Sequence, residues 1–513
     1  MSATAAGRLA RIGDPRQGLE AARRAAREVP AYGRFLADGG VDAGRVSRGE
    51  VPWDALPVMD KKNYCLRYPA PDLMPAEHRE AVSMFVSSAG TSGMPYYWPS
   101  LRPGYFAGSG SSSPLRRLLQ PRRWAPAVEQ SLALHRYDPL GAMLPRRTLA
   151  VVARTMGAWR GGSKVFLSIS RLADRLPNLG VVPVGSRVDD ILAAVLALHG
   201  RYEHVWVILI PSVLERLLDR ASSEPAFPFA KCRFSVSSEV FPESLRLRAS
   251  ELCGKRFPAP AVDGIFASAD TGVAGFESTA SIGLRQLCDA QPGLCKALGL
   301  PFPPPNLYHP CTTTCLEEIE GELVFTKWRG IPLIRYNLHD RGLLLKWEDL
   351  RRQVADARVP KELEPLQKHI VGSPARPDLF AVQGRTDGVT LPGGFLYYYD
   401  DMNAAMHHPL LQKSTTGQFT VSPQKEAGSD PRLLWEIELR PEVEASPELE
   451  DVFYAALVQE MRRIYALFDH EYPRSYQKHE RDPSARIFQI RFQPWPNISN
   501  ELARYPKRRI KTP

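Results

Sequence analysis

Short apolar segments alternate with amphipathic segments between residues 148 and 236. The apolar, β-branched segments 148–154, 205–210 and 233–237 are typical of buried strands. Segments 189–199 and 211–220 carry apolar residues at helical spacing, and the second begins with proline, which is favoured at the first position of a helix. This alternation predicts an α/β fold with a mainly parallel sheet covered on both faces. Ligands of such sheets bind beyond the carboxyl ends of the strands.

A second pattern follows between residues 321 and 347. Residues 321–327, 332–338 and 342–347 alternate apolar and polar side chains. Each segment is typical of a strand, and the segments follow one another closely. The pattern predicts a small antiparallel barrel or sheet, which we expect to form a subdomain beside the parallel-rich sheet.

The chain after Gly394 predicts a separate unit. Two strand-like segments, 436–440 and 487–492, flank a helical pattern over 448–465. The full length of 513 residues is too great for one simple core and predicts two to four domains. We therefore expect a large N-terminal domain and a small α+β C-terminal domain.

Composition and charge argue against two classes of function, nucleic-acid binding and a role within a membrane. Lysine and arginine exceed aspartate and glutamate by ten, but no aromatic stacking motif accompanies the basic pairs, so nucleic-acid binding is disfavoured. The N-terminal residues have no apolar signal core, and no window has the 18 to 20 apolar residues, roughly, that a membrane helix needs. We expect a cytoplasmic protein without a membrane partner.

The seven cysteines form no Cys-x-x-Cys pair. An odd number of cysteines in a soluble chain argues against a disulfide scaffold. Four of them lie close together in the sequence and leave two interpretations, a zinc site or reduced structural cysteines, of which we favour the second: Cys288, Cys295, Cys311 and Cys315.

The chemistry of the chain centres on a loop of hydroxyl residues and glycines after a strand-like segment at 83–86. Glycines allow close approach of a ligand, and backbone N–H groups with small hydroxyls can converge on phosphate oxygens. A surface turn is the alternative interpretation. The loop is not a Walker loop, because no Gly-Lys-Ser/Thr follows. Its candidate phosphate-binding residues are Ser88, Gly90, Thr91, Ser92 and Gly93.

The loop resembles the phosphate loop of the adenylate-forming enzyme superfamily, especially the branch that contains phenylacetate–CoA ligase and adenylating enzymes of phenazine biosynthesis. That loop usually reads Ser-Ser/Thr-Gly-Thr-Thr-Gly-x-Pro-Lys. This chain has Met94 at the position of the lysine. The resemblance implies that the loop holds the β and γ phosphates of ATP.

The segment 266–272 is similar to the motif Tyr-Gly-x-Thr/Ser-Glu of the same superfamily. Phenylalanine, Ala267 and Asp270 replace the tyrosine, glycine and glutamate. The resemblance implies that Asp270 supports Mg²⁺, which prefers one or two protein carboxylates together with phosphate and water. An aspartate that caps a turn is the alternative interpretation.

Two later segments resemble motifs that hold the ribose and form a hinge. Residues 334–342 are similar to the signature that carries the ribose-binding aspartate, here Asp340, although a hairpin-turn aspartate paired with Arg341 is the alternative. Residues 384–394 resemble a Gly-Arg-x-Asp-Asp hinge, in which Arg385 contacts ribose or phosphate oxygens and Asp387 takes up the rotation of a lid. Gly388 replaces the second aspartate, and a β-hairpin tip would use the same residues.

The resemblance also assigns the loop beside the adenine and the catalytic lysine. Ser238 and Glu239 stand where the superfamily has the adenine loop, although a plain strand-to-helix turn fits these residues as well. Lys507 is the preferred catalytic lysine and Lys511 the second candidate; a basic solvated tail is the alternative.

Residues 156–162 supply a candidate acid pocket. A Met-Gly-x-Trp-x-Gly-Gly run can leave space beside one aromatic wall, which would suit a planar or aryl acid and would place Trp159 and Gly161 at the substrate. A tight turn beside a core tryptophan is the alternative interpretation.

Together the motifs imply an adenylation domain over residues 1–386, a hinge over 387–394 and a C-terminal lid domain over 395–513. The implied function is activation of an aryl or heteroaryl carboxylic acid with ATP and Mg²⁺ to an acyl-adenylate, followed by transfer to CoA, a carrier-protein thiol or an amine. A degenerate adenylation fold that binds a partner without catalysis is the alternative, and Met94, Ala267 and Gly388 favour it.

Overall fold

The structure is a computed structural model. It describes these ranges of the chain: 11–13, 15–87, 96–102, 146–154, 156, 160–174, 176–238, 241–257, 259–311, 313–373, 378–385, 389–390, 396–397, 399–424, 432–464, 483 and 486–499.

Helices of the described chain fall into three groups along the sequence. Four lie before the parallel strands, eight are interspersed with the strands of the large sheet or follow it, and three belong to the C-terminal part. They are α1 (Pro15–Glu28), α2 (Pro30–Asp38), α3 (Ala43–Arg48), α4 (Ala76–Ala81), α5 (Val165–Ala173), α6 (Val188–Leu198), α7 (Pro211–Ser222), α8 (Glu243–Leu252), α9 (Thr279–Ala290), α10 (Pro292–Ala297), α11 (Trp347–Asp356), α12 (Glu364–Gly372), α13 (Tyr399–Met406), α14 (Pro409–Gln412) and α15 (Pro447–Ile464).

Strands of the described chain form one large sheet and three small ones. In chain order they are β1 (Arg11–Ile12), β2 (Val82–Ser87), β3 (Tyr97–Leu101), β4 (Thr148–Val152), β5 (Leu179–Pro183), β6 (His204–Leu209), β7 (Cys232–Ser237), β8 (Val262–Ser268), β9 (Gly272–Phe276), β10 (Asn306–Pro310), β11 (Cys315–Ile319), β12 (Glu322–Lys327), β13 (Leu333–Leu345), β14 (Leu379–Arg385), β15 (Val389–Thr390), β16 (Leu396–Tyr397), β17 (Thr415–Gln424), β18 (Arg432–Leu439) and β19 (Phe488–Gln493).

The large sheet has twelve strands in the order β1-β11-β12-β13-β14-β10-β9-β8-β7-β6-β4-β5. Strands β5, β4, β6, β7 and β8 are parallel to one another. From β8 to β1 the neighbouring strands of this sheet pair antiparallel. The strands and helices expected between residues 148 and 236 are all present, which confirms the α/β prediction. The antiparallel strands continue the same sheet.

Strand β13 differs from the expectation of two short strands joined by a turn. It is one strand that changes partner, pairing with β12 through its first part and with β14 through its second. Positive φ angles at Arg335 (49°) and His339 (60°) bend it. At Gly342 a Cβ atom would lie 2.4 Å from the carbonyl oxygen of Ala381, so a side chain would block the close approach of β14. The turn-like residues 339–342 are therefore irregularities inside a strand.

The C-terminal residues form a second, smaller sheet with its own core. Strands β17 and β18 pair antiparallel, and β18 and β19 pair parallel. Helices α13 and α15 pack on this sheet around buried Phe419, Trp435 and Leu457. The sequence predicted β18, β19 and α15 but not β17. The expected domain limits, with a hinge over 387–394, remain predictions.

All seven cysteines are buried and none forms a disulfide, as expected for reduced structural residues. No group of three potential metal ligands occurs among the described residues. In the same part of the chain, no helix has the length and apolar character that crossing a membrane requires.

Candidate active site

The carboxyl ends of the parallel strands bring together residues that are far apart in the sequence. Arg154 follows β4, Ser237 ends β7 and Ser238 follows it, and the turn that contains Asp270 follows β8. Because β4, β6, β7 and β8 run in the same direction, these residues share one edge of the sheet. Ligands of α/β sheets bind at this edge.

Asp270 lies in the tight turn between β8 and β9. The turn itself is held by Ser268, whose Oγ accepts a hydrogen bond of 2.9 Å from the backbone N–H of Thr271. Asp270 instead accepts a hydrogen bond of 2.7 Å from the Tyr336 hydroxyl. The interaction that stabilises this turn is therefore made by the serine, and the carboxylate of Asp270 binds a residue of another strand.

Tyr336 joins the Asp270 turn to a cluster of aromatic side chains. It is 1% exposed, and its burial together with the neighbouring Asp270 carboxylate raises its pKa well above the ordinary value. Its ring contacts Trp98 edge-on with a centroid distance of 6.2 Å, and Trp98 contacts Tyr96 at 4.8 Å. Burial also raises the pKa of Tyr96, with a further contribution from Asp270.

The aromatic cluster fixes the hairpin of β2 and β3 beside Asp270. Ser87 and Tyr97 are register partners at the end of this hairpin where its two strands are connected. The predicted phosphate loop runs between them, and its candidate residues lie outside the described part of the chain: Ser88, Gly90, Thr91, Ser92 and Gly93. Tyr96 and Trp98, at the described start of the second half of the hairpin, thus lie close to the carboxylate predicted to support a metal.

Asp340 and Arg385 are neighbours across β13 and β14. The strand register makes their Cα atoms partners. Asp340 is 9% exposed and lies within a strand, so the hairpin-turn interpretation is wrong. Only the backbone of Arg385 is described. These two residues, each predicted from a different motif to contact the ribose, therefore lie directly opposite each other on neighbouring strands.

His339 connects β13 with two acidic side chains. Its Nδ1 lies 3.4 Å from Glu322 and its Nε2 lies 3.6 Å from Asp60. The backbone N–H of His339 donates to the side-chain oxygen of Asn337 at 2.7 Å. These contacts hold the backbone of β13 at its positive φ angle directly before Asp340.

Arg154 is a residue that the motif analysis missed. It is 7% exposed, and its guanidinium donates to the hydroxyls of Ser237 (2.6 Å) and Ser238 (2.7 Å) and to the carbonyl oxygen of Leu209 (3.3 Å). Ser238 has a φ angle of 79°, which is rare for a residue with a side chain. An arginine as the last residue of a predicted apolar strand was the signal that could have identified it.

A buried charge network supports the strands behind the Asp270 turn. Glu277, which follows β9, accepts from Arg246 (2.9 and 3.0 Å) and from the backbone N–H of Gly264 on β8 (2.6 Å). Arg246 and Arg285 both pair with Glu243, at 2.8 and 3.2 Å. Two positive and two negative side chains are thus buried together, which balances their charges.

Several predicted site residues lie outside the described chain, and the structure leaves their roles as predictions. Gly161 belongs to a short helical turn, Arg160–Lys164, directly before α5. Gly161 is therefore described, whereas the following predicted residues lie outside the described ranges: Trp159, Glu239, Asp387, Lys507 and the alternative lysine, Lys511.

Comparison with known proteins identifies the fold. No family model and no curated protein matches the chain. A 2-hydroxyisobutyryl-CoA ligase, solved in the postadenylation state with 2-HIB-AMP, is similar with a TM-score of 0.56 and 15% identity over 93% of this chain and 84% of its own. The acyl acid amido synthetase AtGH3.15, solved with 2,4-DB, has a TM-score of 0.52 and 12% identity over 97% of this chain and 92% of its own. At these identities the likeness shows the fold, a mixed α/β architecture with a separate smaller sheet.

Proposed function

We propose that this protein activates a carboxylic acid with MgATP to an acyl-adenylate and then transfers the acyl group to a thiol or an amine. The main observation behind the proposal is that strand β13 positions both the candidate metal-binding residue and the candidate ribose-binding residues. This strand holds Tyr336, which binds Asp270, and four residues later Asp340, the register partner of Arg385. Candidate metal-binding and ribose-binding groups are therefore fixed to one element.

The ribose is assigned to Asp340 and Arg385. A carboxylate can accept hydrogen bonds from both vicinal hydroxyls of a ribose. A guanidinium can contact ribose or phosphate oxygens through two parallel N–H groups. The phosphate loop is assigned to the segment between β2 and β3, where Ser88, Thr91 and Ser92 supply hydroxyls and backbone N–H groups for the β and γ phosphates.

Asp270 fits a site for Mg²⁺. No cluster of three potential ligands occurs among the described residues. Mg²⁺ bound to ATP does not need one, because it takes one or two protein carboxylates and completes its shell with phosphate and water. When bound, the ion would neutralise phosphate charge. The contribution of the chain is the Tyr336 hydrogen bond, which fixes the orientation of the Asp270 carboxylate.

In the proposed first step, a carboxylate oxygen of the acid attacks the α-phosphorus of ATP. A bond forms between these two atoms, the bond from the α-phosphorus to the bridging oxygen breaks, and pyrophosphate leaves. Both reactants are anionic, so catalysis depends on positioning and on neutralising charge. Lys507 is assigned to the reacting oxygens, with Lys511 as the second candidate.

The second step transfers the acyl group from AMP to CoA, a carrier-protein thiol or an amine. Both a thiol and an amine acceptor have a precedent among the similar structures, because one of these proteins is named a CoA ligase and the other an amido synthetase. Rotation about Asp387 is assigned to the change between the steps. We place the chain in the phenylacetate–CoA ligase-like branch in the cytoplasm, with a planar or aryl acid held near Trp159 and Gly161.

A non-catalytic binding protein with the same fold is the second candidate function. The replacement of expected motif residues by Met94, Ala267 and Gly388 favours it, because a methionine cannot contact phosphate as a lysine does. Clear ATP binding without release of pyrophosphate from ATP in the presence of any acid would support this candidate.

The deciding experiment measures pyrophosphate release from MgATP with aryl, heteroaryl and aliphatic acids, using hydroxylamine to trap acyl-adenylates. Lys507→Ala and Lys511→Ala form a matched pair, because both remove a cation from the same segment. We expect release with one class of acid and its loss in Lys507→Ala alone. Equal activity in the two variants would contradict the catalytic role of Lys507, and release with no acid would contradict adenylation.

A further inference from the structure

Arg154 links the carboxyl ends of three adjacent parallel strands. Its side chain starts after β4, crosses the end of β6 at the carbonyl of Leu209, and reaches the two serines that end β7. The guanidinium is buried, and it remains charged because arginine is not deprotonated in proteins. The strands therefore enclose a positive charge at the edge where ligands of α/β sheets bind.

The Arg154 guanidinium donates to three neutral oxygen atoms, and two of them belong to serine hydroxyls that can donate in turn. A serine hydroxyl that accepts a hydrogen bond from arginine keeps its own proton for donation. Ser237 and Ser238 both accept from Arg154, at 2.6 and 2.7 Å. Hydrogen bonds in a chain polarise one another. The pair of hydroxyls is thus suited to donate to an oxygen of a ligand.

The position of the serines relative to Asp270 indicates which part of the ligand they meet. Ser237 ends β7 as the register partner of Ile265 on the neighbouring strand β8, and Ser238 follows it. The Asp270 turn comes after the end of β8 at Ser268, so the serines and Asp270 lie at the same edge of the sheet on neighbouring parallel strands. In the proposed function, which this inference takes as its premise, the reacting carboxylate lies beside the phosphates near Asp270. A small acid would then present its other end to the serine hydroxyls and to Arg154.

We infer that Arg154, Ser237 and Ser238 form a subsite that recognises a second oxygen-bearing group on the acid substrate. The group is a hydroxyl, carbonyl or carboxylate oxygen that accepts hydrogen bonds from the serine hydroxyls, which Arg154 polarises and orients. The substrate class is therefore a carboxylic acid with a second polar oxygen. Ser238 serves this subsite through its hydroxyl, and its backbone leads into the segment assigned to the nucleotide.

The test compares pairs of acids that differ by one oxygen substituent, such as hydroxybenzoic with benzoic acid and a keto acid with its alkyl counterpart. We expect wild-type protein to prefer the oxygenated member in kcat/KM for pyrophosphate release. A hydrogen bond to a charged network strengthens binding about 10- to 100-fold. Arg154→Gln should therefore reduce the preference for the oxygenated acid about 10- to 100-fold. Arg154→Lys, which keeps the charge but loses the planar fork, should reduce it less.

Arg233→Gln is the matched control. Arg233 is equally buried at the opposite end of β7 and donates to the carbonyl oxygen of Pro260 at 2.7 Å. If Arg154 only joined the strands, both variants would lower activity on the two members of each acid pair equally and leave the preference unchanged. That result, or the absence of a preference in the wild type, would overturn the inference.

A failure of the proposed function gives a different result. If wild-type protein releases pyrophosphate with no acid, adenylation is excluded, and calorimetric titration of the same acid pairs decides about the subsite. Tighter binding of the oxygenated acid by wild type, lost in Arg154→Gln but kept in Arg233→Gln, supports the inference. Equal binding of the two members by the wild type contradicts it.

Discussion

Asp340 and Arg385 are register partners across β13 and β14 although they are widely separated in the sequence. Each had been predicted to contact the ribose from a different local motif. Their pairing depends on the irregular course of β13, in which His339 adopts a positive φ angle immediately before Asp340. The proposed ribose site thus depends on the irregular backbone of β13, and a regular hairpin would not place Asp340 opposite Arg385.

Replacement of Asp340 tests this site. Asp340→Ala should weaken ATP binding about 10- to 100-fold, because two hydrogen bonds from the ribose to a carboxylate are lost. The melting temperature should change little, since the strand pairing is made by the backbone. Calorimetric titration with ATP measures the effect, and Asp356→Ala, at an exposed position of α11, is the control. Wild-type affinity in Asp340→Ala would exclude Asp340 from the nucleotide site.

Much of the fold could be predicted from the sequence. The parallel strands and their helices followed directly from apolar periodicity, because both faces of that sheet are buried and the pattern is nearly continuous. Strand β13 was divided wrongly, since His339, Asp340 and Gly342 are typical turn residues and only tertiary pairing with β14 extends the strand through them. Strand β17 was missed because its polar residues interrupt the alternation.

Some residues of the candidate site could be predicted from the sequence and others could not, and the difference has a physical reason. Asp270, Asp340 and Arg385 occur in local motifs that sequence reasoning can detect. Arg154 and Tyr336 act through contacts with other strands, and nothing near them in the sequence indicates Ser238 or Asp270 as partners. Such contacts depend on strand order, which periodicity does not determine.

The Tyr336 hydroxyl should matter for the metal. Tyr336→Phe removes the hydrogen bond to Asp270. We expect MgATP affinity to fall about 3- to 10-fold, less than for the loss of a direct hydrogen bond to a charged group, because the Asp270 carboxylate remains and loses only its fixed orientation. Affinity for ATP without metal should stay close to wild type. Binding measured with and without Mg²⁺ separates the two effects.

Tyr64→Phe is the control for that experiment. Tyr64 is fully buried in the same core cluster, and its hydroxyl has no hydrogen-bond partner among the described residues. Removal of the Tyr64 hydroxyl should therefore leave stability and MgATP affinity unchanged or slightly improved. If both variants lost MgATP affinity equally, the cause would be general packing and not the contact with Asp270.

Glu277 should be essential for stability. It binds Arg246 and the backbone N–H of Gly264 in a fully buried environment. Glu277→Gln keeps the size of the side chain but leaves a buried arginine with less compensating charge, which should lower the free energy of unfolding by about 3 to 5 kcal/mol. Urea unfolding measures this change.

Glu348→Gln provides the comparison. Glu348 pairs with Arg351 at 2.6 Å on the partly exposed surface of α11, where solvent screens the interaction. We expect a change in unfolding free energy too small to separate from error. A similarly small loss in Glu277→Gln would show that the charges of the buried network are dispensable.

His78 predicts a pH dependence of stability. It is fully buried, its Nδ1 lies 3.0 Å from the carbonyl oxygen of Gly330, and burial lowers its pKa from the ordinary 6.5. Between the folded-state pKa and 6.5 the unfolded chain binds more protons, so stability rises with pH across this window and falls as the solution is acidified through it.

His78→Gln should flatten the dependence on pH between the lowered pKa and 6.5, measured by urea unfolding at a series of pH values. His204→Gln is the comparison, because burial also lowers the pKa of His204 but its side chain is only half-buried. We expect a smaller change of slope in that variant. An unchanged slope in His78→Gln would contradict the assignment of the effect to His78.

The contact between the large sheet domain and the C-terminal sheet should depend on the acidic face of α7. Glu215 lies 3.3 Å from the Nε2 of His407, and Asp219 lies 3.7 Å from Arg440. Gly417 is so close that a Cβ atom would lie 3.1 Å from the Glu215 carboxylate. An ion pair with Arg440, a polar contact with His407 and close backbone approach at Gly417 thus hold the two parts together at one small surface.

Glu215→Gln combined with Asp219→Asn removes both negative charges from this surface without changing side-chain size. Hydrogen exchange should become several-fold faster at the start of β17, since fewer interactions oppose its separation from α7. Glu203→Gln, which alters an exposed pair with Arg147, should leave that exchange unchanged. If exchange in β17 were the same in all three proteins, the charges would contribute nothing to docking, and the contact would have to rest on the close backbone approach at Gly417.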